Sequence, residues 1–163
     1  MSFEALVEIA ADVGQLLVER GESVAVSESS SGGLVSAALL AVPGASRYYL
    51  GGGVIYTGPV RAVFLQLPTR LPSAVRSSSE PYAALCAATI ADRLSADWGL
   101  AETGAAGPNG NRYGDASGHT CIAVIGPGKS LRTVETGQDD RLQNMYAFAE
   151  AALADLGACL RAA

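Results

Sequence analysis

Lysine is almost missing from this sequence: Lys129 is the only one, and His119 is the only histidine. Only 17% of the 163 residues are charged, and 16 acidic against 11 basic residues leave a formal charge of −5. The arginines are scattered along the chain. A nucleic-acid surface needs clustered Lys and Arg to neutralise phosphates, so the composition argues against that function class. One histidine with no Cys, Asp or Glu at ligand spacing gives no metal site, and nothing implies a cofactor. Apolar runs fall short of the roughly 18 to 20 residues of a spanning helix, and the first residues lack a signal peptide's basic start and apolar middle. The expectation is a soluble, cytoplasmic protein with no membrane partner. Cys86, Cys121 and Cys159 are odd in number, widely spaced and set among apolar residues. Buried reduced thiols fit that pattern better than disulfides.

What is present is apolar periodicity: 49% of the residues are hydrophobic, enough for one domain spanning residues 1–163. Ser2 caps a first helix with the face Phe3, Leu6, Val7, Ala10, Val13, Leu16 and Leu17, and Gly21 ends it. Residues 23–27 read as a strand and 33–41 as a helix. "YYLGGGVIYTG" reads as a strand whose glycines mark a close approach of backbone or ligand. Pro59 starts a short helix, and Ser79 caps "EPYAALCAATIADRLSADW", with Trp98 packing at its end. "GLAETGAAGPNGNRYGDASG" is a strand running into a long loop. "HTCIAVIG" and "SLRTVETG" form a hairpin, and residues 140–160 close the chain as a helix. Helices alternating with strands predict an α/β fold, a three-layer α/β/α sandwich on a mixed, mainly parallel sheet with one antiparallel pairing at the hairpin.

Ligands in such sheets sit outside the C-terminal ends of parallel strands. Two loops qualify, "SESSSGG" at 27–33 and "TGAAGPNGN" at 103–111. In the first, two glycines let backbone N–H groups converge at a helix N-terminus, where an oxyanion or phosphate is stabilised and a serine is placed for attack. The plainer alternative is that Ser29 or Ser31 caps the helix and the rest is solvated loop. The spacing matches neither the G-x-S-x-G nor the P-loop pattern.

Read in order, "ESSSGGLVSAAL", "VPGASRYYLGGGVIYTGPVRAVFLQL", "LAETGAAGP" and "TGQDDR" resemble the C-terminal domain of the competence/damage-inducible CinA family. The resemblance implies nicotinamide-nucleotide amidase chemistry, the deamidation of nicotinamide mononucleotide, without a cofactor. It extends over essentially the whole chain and has no counterpart here of the separate N-terminal molybdopterin-binding-like domain of full-length members. Ser29 falls on the family's serine nucleophile, Ser31 on its threonine, and Gly32 and Gly33 on its glycine pair, with Ser30 between them. Tyr56 falls on the family's tyrosine, Thr103 and Gly104 on its Thr-Gly loop, and Arg141 on its late arginine. On this footing Ser29, Tyr56 and Arg61 are the candidate catalytic residues. Ser30, Ser31, Gly32, Gly33, Thr103, Gly104 and Arg141 are the candidate substrate-binding residues.

Arg61 stands where the family pattern has its catalytic lysine. A neutral lysine can take the serine proton, whereas a guanidinium stays protonated and cannot. Two routes follow: another base (Tyr56, Glu28 or His119) takes over, or the chain keeps the pocket and binds a nucleotide without turnover. His119 otherwise reads as a structural hydrogen-bonding residue, and residues 109–118 as a lid or specificity loop. The expected partner is a small-molecule nucleotide, and a small apolar-rich domain of this kind is expected to form a homo-oligomer.

Overall fold

Ser2 accepts a hydrogen bond from the Ala5 amide at 3.3 Å and Gly21 adopts a left-handed conformation, so α1 spans Phe3–Arg20 between them. The computed structural model describes every residue from Met1 to Ala163. β1 (Val24–Glu28), α2 (Leu34–Ala41), β2 (Tyr49–Val54), α3 (Gly58–Phe64) and α4 (Glu80–Leu94) follow. β3 (Trp98–Ala105), β4 (His119–Ile125), β5 (Lys129–Glu135) and α5 (Arg141–Ala162) complete the chain. Ser79 caps α4 and Asp140 caps α5, each side chain accepting from the amide three residues on.

The five strands form one sheet in the order β2-β1-β3-β4-β5. β1 pairs in parallel with both β2 and β3, whereas β3–β4 and β4–β5 are antiparallel. Only β4 is reversed, but it lies between β3 and β5. The sheet therefore has two antiparallel pairings where the sequence suggested one. Side chains alternate between the two faces of each strand. Val24, Val26, Trp98, Leu100, Ile122 and Val124 pack with α1, α2 and α5 in one core. Ala25, Ala101, Cys121 and Ala123 pack with α4 in the other, beside Ile55 and Leu65. These two cores make the three-layer α/β/α sandwich. All three cysteines are free and buried.

Two local readings change or sharpen. Trp98 does not end a helix: Ser95 closes α4 in a left-handed conformation, and Trp98 opens β3 with its indole buried. Its indole N–H donates to Glu22 at 2.7 Å, so the largest side chain of the core keeps its polar handle satisfied. At Gly52 a Cβ would lie 2.5 Å from the Val26 carbonyl oxygen, so the glycine-rich β2 reflects close approach of the neighbouring backbone.

The site follows from the connectivity. From β1 the chain moves to β2 on one side, and later returns to β3 on the other. β1 is thus the point where strand order reverses, which opens a crevice beyond its C-terminal end. Ser27 lies in register with Ala101, so the segment 28–33 faces Glu102–Gly104 across that crevice.

Candidate active site

Three adjacent serines in the 29–31 turn meet three different environments. Ser30 Oγ donates to Glu102 Oε1 in a short hydrogen bond, and Ser31 Oγ donates to Glu28 Oε2 at 2.8 Å. Both side chains are buried. Ser29 is half-buried and lines a cavity of about 270 Å³ together with Tyr56, Arg61, Tyr82, Thr103 and Gly104. Its hydroxyl is the one in the turn that makes no hydrogen bond within the chain.

Two buried carboxylates shape this turn. Glu102 Oε2 accepts from the Ser29 and Ser31 amides at 3.2 and 2.8 Å, and its Oε1 also accepts from Thr120 Oγ1 at 2.8 Å. Glu28 accepts from the amides of Gly33, Val35 and Ser36 and from the Ser36 hydroxyl, at 2.6–3.0 Å. A carboxylate against the orphan donors of a helix N-terminus is favourable, so α2 is capped by Glu28 rather than by a serine. Gly32 and Gly33 both have positive φ, which lets the chain wrap around this carboxylate.

The amides of the turn are accordingly engaged. Gly32 N–H donates to the Ser29 carbonyl and Gly33 N–H to Glu28. Neither is free to serve as an oxyanion donor. Between residues 29 and 36 the Ser30 N–H, directly after Ser29, is the amide without an acceptor in the chain.

Arg61 is almost fully buried. Its Nε donates to the Pro68 carbonyl at 3.0 Å, one Nη to the Thr69 carbonyl in a short contact, and the other to Tyr82 Oη at 3.5 Å. The guanidinium also lies 5.5 Å from the Tyr82 ring centroid. Burial pushes the Tyr82 hydroxyl up to about 12, so it carries its proton at neutral pH. Tyr56 is exposed at the mouth of the cavity, and Arg141 donates to its hydroxyl at 3.3 Å. A second donation from Arg141, to the Gly107 carbonyl at 2.6 Å, ties α5 to the loop after β3. No His, Lys, Asp or Glu side chain lines the inner cavity.

His119 lies outside the cavity. Nε2 faces the Ser78 carbonyl at 3.0 Å and Nδ1 faces Glu135 Oε1, so both ring nitrogens meet acceptors. Burial alone would lower its pKa, but the bonds to Glu135 and Ser78 and the Asp115 charge outweigh burial and raise it. Glu28 is turned toward α2. Neither residue is placed to take a proton from Ser29.

Comparison with known proteins fixes the family. The profile of the CinA C-terminal domain matches residues 6–160. The chain belongs to the CinA C-terminal domain family. A CinA-like protein of Prochlorococcus marinus (strain MIT 9313) is 41% identical over 119 residues, covering 73% of this chain and 28% of that protein. A CinA-like protein of Gloeobacter violaceus is also 41% identical, over 74% of this chain and 28% of its own length. The chain thus spans under a third of these relatives. The crystal structure of a CinA superfamily protein from Klebsiella pneumoniae superposes with a TM-score of 0.88 at 25% identity, covering 97% of this chain and 99% of that one. The competence/damage-inducible protein CihA of Agrobacterium tumefaciens gives 0.87 at 26% identity, covering 96% and 95%.

Within this CinA fold, Ser29, Tyr56, Arg61, Thr103 and Gly104 share the inner cavity, and Arg141 touches it through Tyr56. Ser30, Ser31, Gly32 and Gly33 form the turn behind Ser29 and do not line it. The sequence reading passed over Glu102 and Tyr82. Glu102 carried a signal, a lone carboxylate in an otherwise apolar strand stretch; Tyr82 on an amphipathic helix carried none.

Proposed function

We propose that the protein is a nicotinamide-nucleotide amidohydrolase of the CinA type, converting nicotinamide mononucleotide to nicotinate mononucleotide and ammonia. The observation that carries this reading is the uncommitted Ser29 hydroxyl opening onto the inner cavity, while both neighbouring serine hydroxyls are tied to buried carboxylates. Ser29 Oγ attacks the carboxamide carbon and forms an acyl-enzyme. The Ser30 N–H, directly after the nucleophile, donates to the developing oxyanion. Tyr56 Oη, held by Arg141, takes the serine proton and passes its own to the departing nitrogen, so ammonia leaves as the C–N bond breaks. Water then hydrolyses the ester by the reverse relay. Arg141 and the Thr103–Gly104 segment hold the phosphate.

A second reading, nucleotide binding without turnover, is favoured by the absence of His, Lys, Asp or Glu from the cavity lining. General-base assistance contributes on the order of 10²- to 10⁴-fold, so a tyrosine relay alone implies a slow enzyme. Ammonia release from nicotinamide mononucleotide decides between them, with Ser29→Ala as control. Release that falls to background in Ser29→Ala, with an unchanged melting temperature, supports the amidohydrolase. Silence in both proteins with saturable nucleotide binding supports the second reading. Equal release from both proteins would overturn Ser29 as nucleophile.

A further inference from the structure

Outside the Ser29 cavity lies a larger chamber of about 650 Å³, which shares Tyr56, Thr57, Gly58, Arg61 and Ser77 with the inner one. Four guanidinium groups line it: Arg61 from α3, Arg70 and Arg76 from the segment between α3 and α4, and Arg112 from the loop between β3 and β4. The chain carries 11 basic residues and a net charge of −5, so four of them on one cavity is not a consequence of composition. No aspartate or glutamate lines the chamber.

Only one of the four has a carboxylate partner. Arg76 forms a two-pronged pair with Asp115 at 2.7 and 2.9 Å. Arg61, Arg70 and Arg112 form no ion pair. Arg61 is nearly fully buried in this state, with neutral carbonyls and a tyrosine as its acceptors. A buried cation without a counter-charge is disfavoured, and an anion beside it offsets that penalty. The wall is also pre-ordered. Arg76 and Arg112 each lie 5.0 Å from the centroid of the Tyr113 ring, and Arg112 Nη2 donates to Tyr113 Oη at 2.9 Å. Arg61 is held in place by the Pro68 and Thr69 carbonyls. Planar guanidinium forks match phosphate oxygens bidentately.

We propose that this arginine-lined chamber binds a pyrophosphate group, the ligand being a nucleotide with two linked phosphates. Four guanidiniums less the Asp115 carboxylate leave a local charge of +3, which suits a pyrophosphate better than one phosphate monoester. The chamber has more than twice the volume of the inner cavity. The proposal goes beyond the amidohydrolase reading, which calls for one phosphate and places it on Arg141. Two sources share this chemistry, a nucleoside diphosphate and a dinucleotide.

Titration calorimetry on the Ser29→Ala protein, at about 150 mM salt where diffuse attraction is screened, tests binding apart from turnover. Inorganic pyrophosphate is expected to bind at least tenfold more tightly than inorganic phosphate. The double variant Arg70→Gln/Arg112→Gln, both exposed and outside the Ser29 cavity, should lose at least tenfold in pyrophosphate affinity. Its binding of nicotinamide mononucleotide should stay within twofold of the parent's. Adenosine diphosphate and nicotinamide adenine dinucleotide as further titrants distinguish the two sources. Pyrophosphate binding no tighter than phosphate, or undiminished in the double variant, would overturn the proposal. Failure of nicotinamide mononucleotide to bind either protein would count against the amidohydrolase reading alone.

Discussion

Ser29, Ser30 and Ser31 have the same side chain, and their roles differ only in what each hydroxyl meets. Two donate to buried carboxylates and one faces a cavity. His119 shows the same dependence on surroundings. As the sole histidine it is an obvious candidate base, yet an acceptor at each ring nitrogen favours the imidazolium, and its pKa is raised. A raised value in the fold means that the charged form is stabilised relative to the unfolded chain. That contribution is complete below the ordinary histidine value of about 6.5 and is lost as pH rises through the folded value. Urea midpoints should therefore fall as pH rises above about 6.5, and His119→Gln should flatten the fall. A midpoint that rises over this window in the parent protein would contradict the assignment. The "SESSSGG" stretch was legible as a site loop because serines and glycines between a strand and a helix narrow the possibilities. The family resemblance singled out Ser29, but the residues of the loop alone did not show which hydroxyl is free, because Ser30 is engaged by Glu102, more than seventy residues away along the chain, and Ser31 by Glu28.

At the scale of elements, α2 illustrates how a short helix is started. It has eight residues and a glycine at its N-cap, so no cap side chain satisfies its first amides. Glu28, the last residue of β1, supplies that function with three amides and two hydroxyls as donors. Glu28→Gln keeps the shape but turns an amide donor toward amide donors. Leaving buried N–H groups unsatisfied costs about 1–3 kcal/mol each, so a loss of about 2–4 kcal/mol in urea denaturation is expected. The turn that carries Ser29 would shift with it, lowering nucleotide affinity. An unchanged urea midpoint would show that Glu28 does not hold the helix. The strands were readable because short apolar runs bounded by glycine and other turn residues are local signals. The second antiparallel pairing was not, since strand order depends on which edge β4 and β5 join, and no residue spacing encodes that choice.

For the whole molecule, β2 is an edge strand with an open hydrogen-bonding side. Beside it Leu50, Val54, Val63, Phe64 and Leu94 are exposed, Val63 by 72% and Phe64 by 56%. Unprotected edges and clustered apolar side chains favour association. A second copy of this chain against that edge is the form the expected homo-oligomer would take. Sedimentation velocity at tens of micromolar should give a species larger than the monomer, and Val63→Glu/Phe64→Glu should shift it to monomer. A monomeric parent protein would overturn this expectation. No helix is long and apolar enough to cross a membrane.

The sequence by itself determined the alternation of helices and strands and the position of the loops that flank the crevice. These rest on periodicity and on glycine and proline stereochemistry, which act over a few residues. Only the tertiary structure decided that Arg61, which lines the same cavity as Ser29, is committed to the Pro68 and Thr69 carbonyls, and that Glu28 caps a helix. It also decided that four arginines, scattered from residue 61 to residue 112, converge on one chamber. Those outcomes depend on which distant segments share a surface. Desolvation and charge act through space at that range, and spacing along the chain carries no record of it.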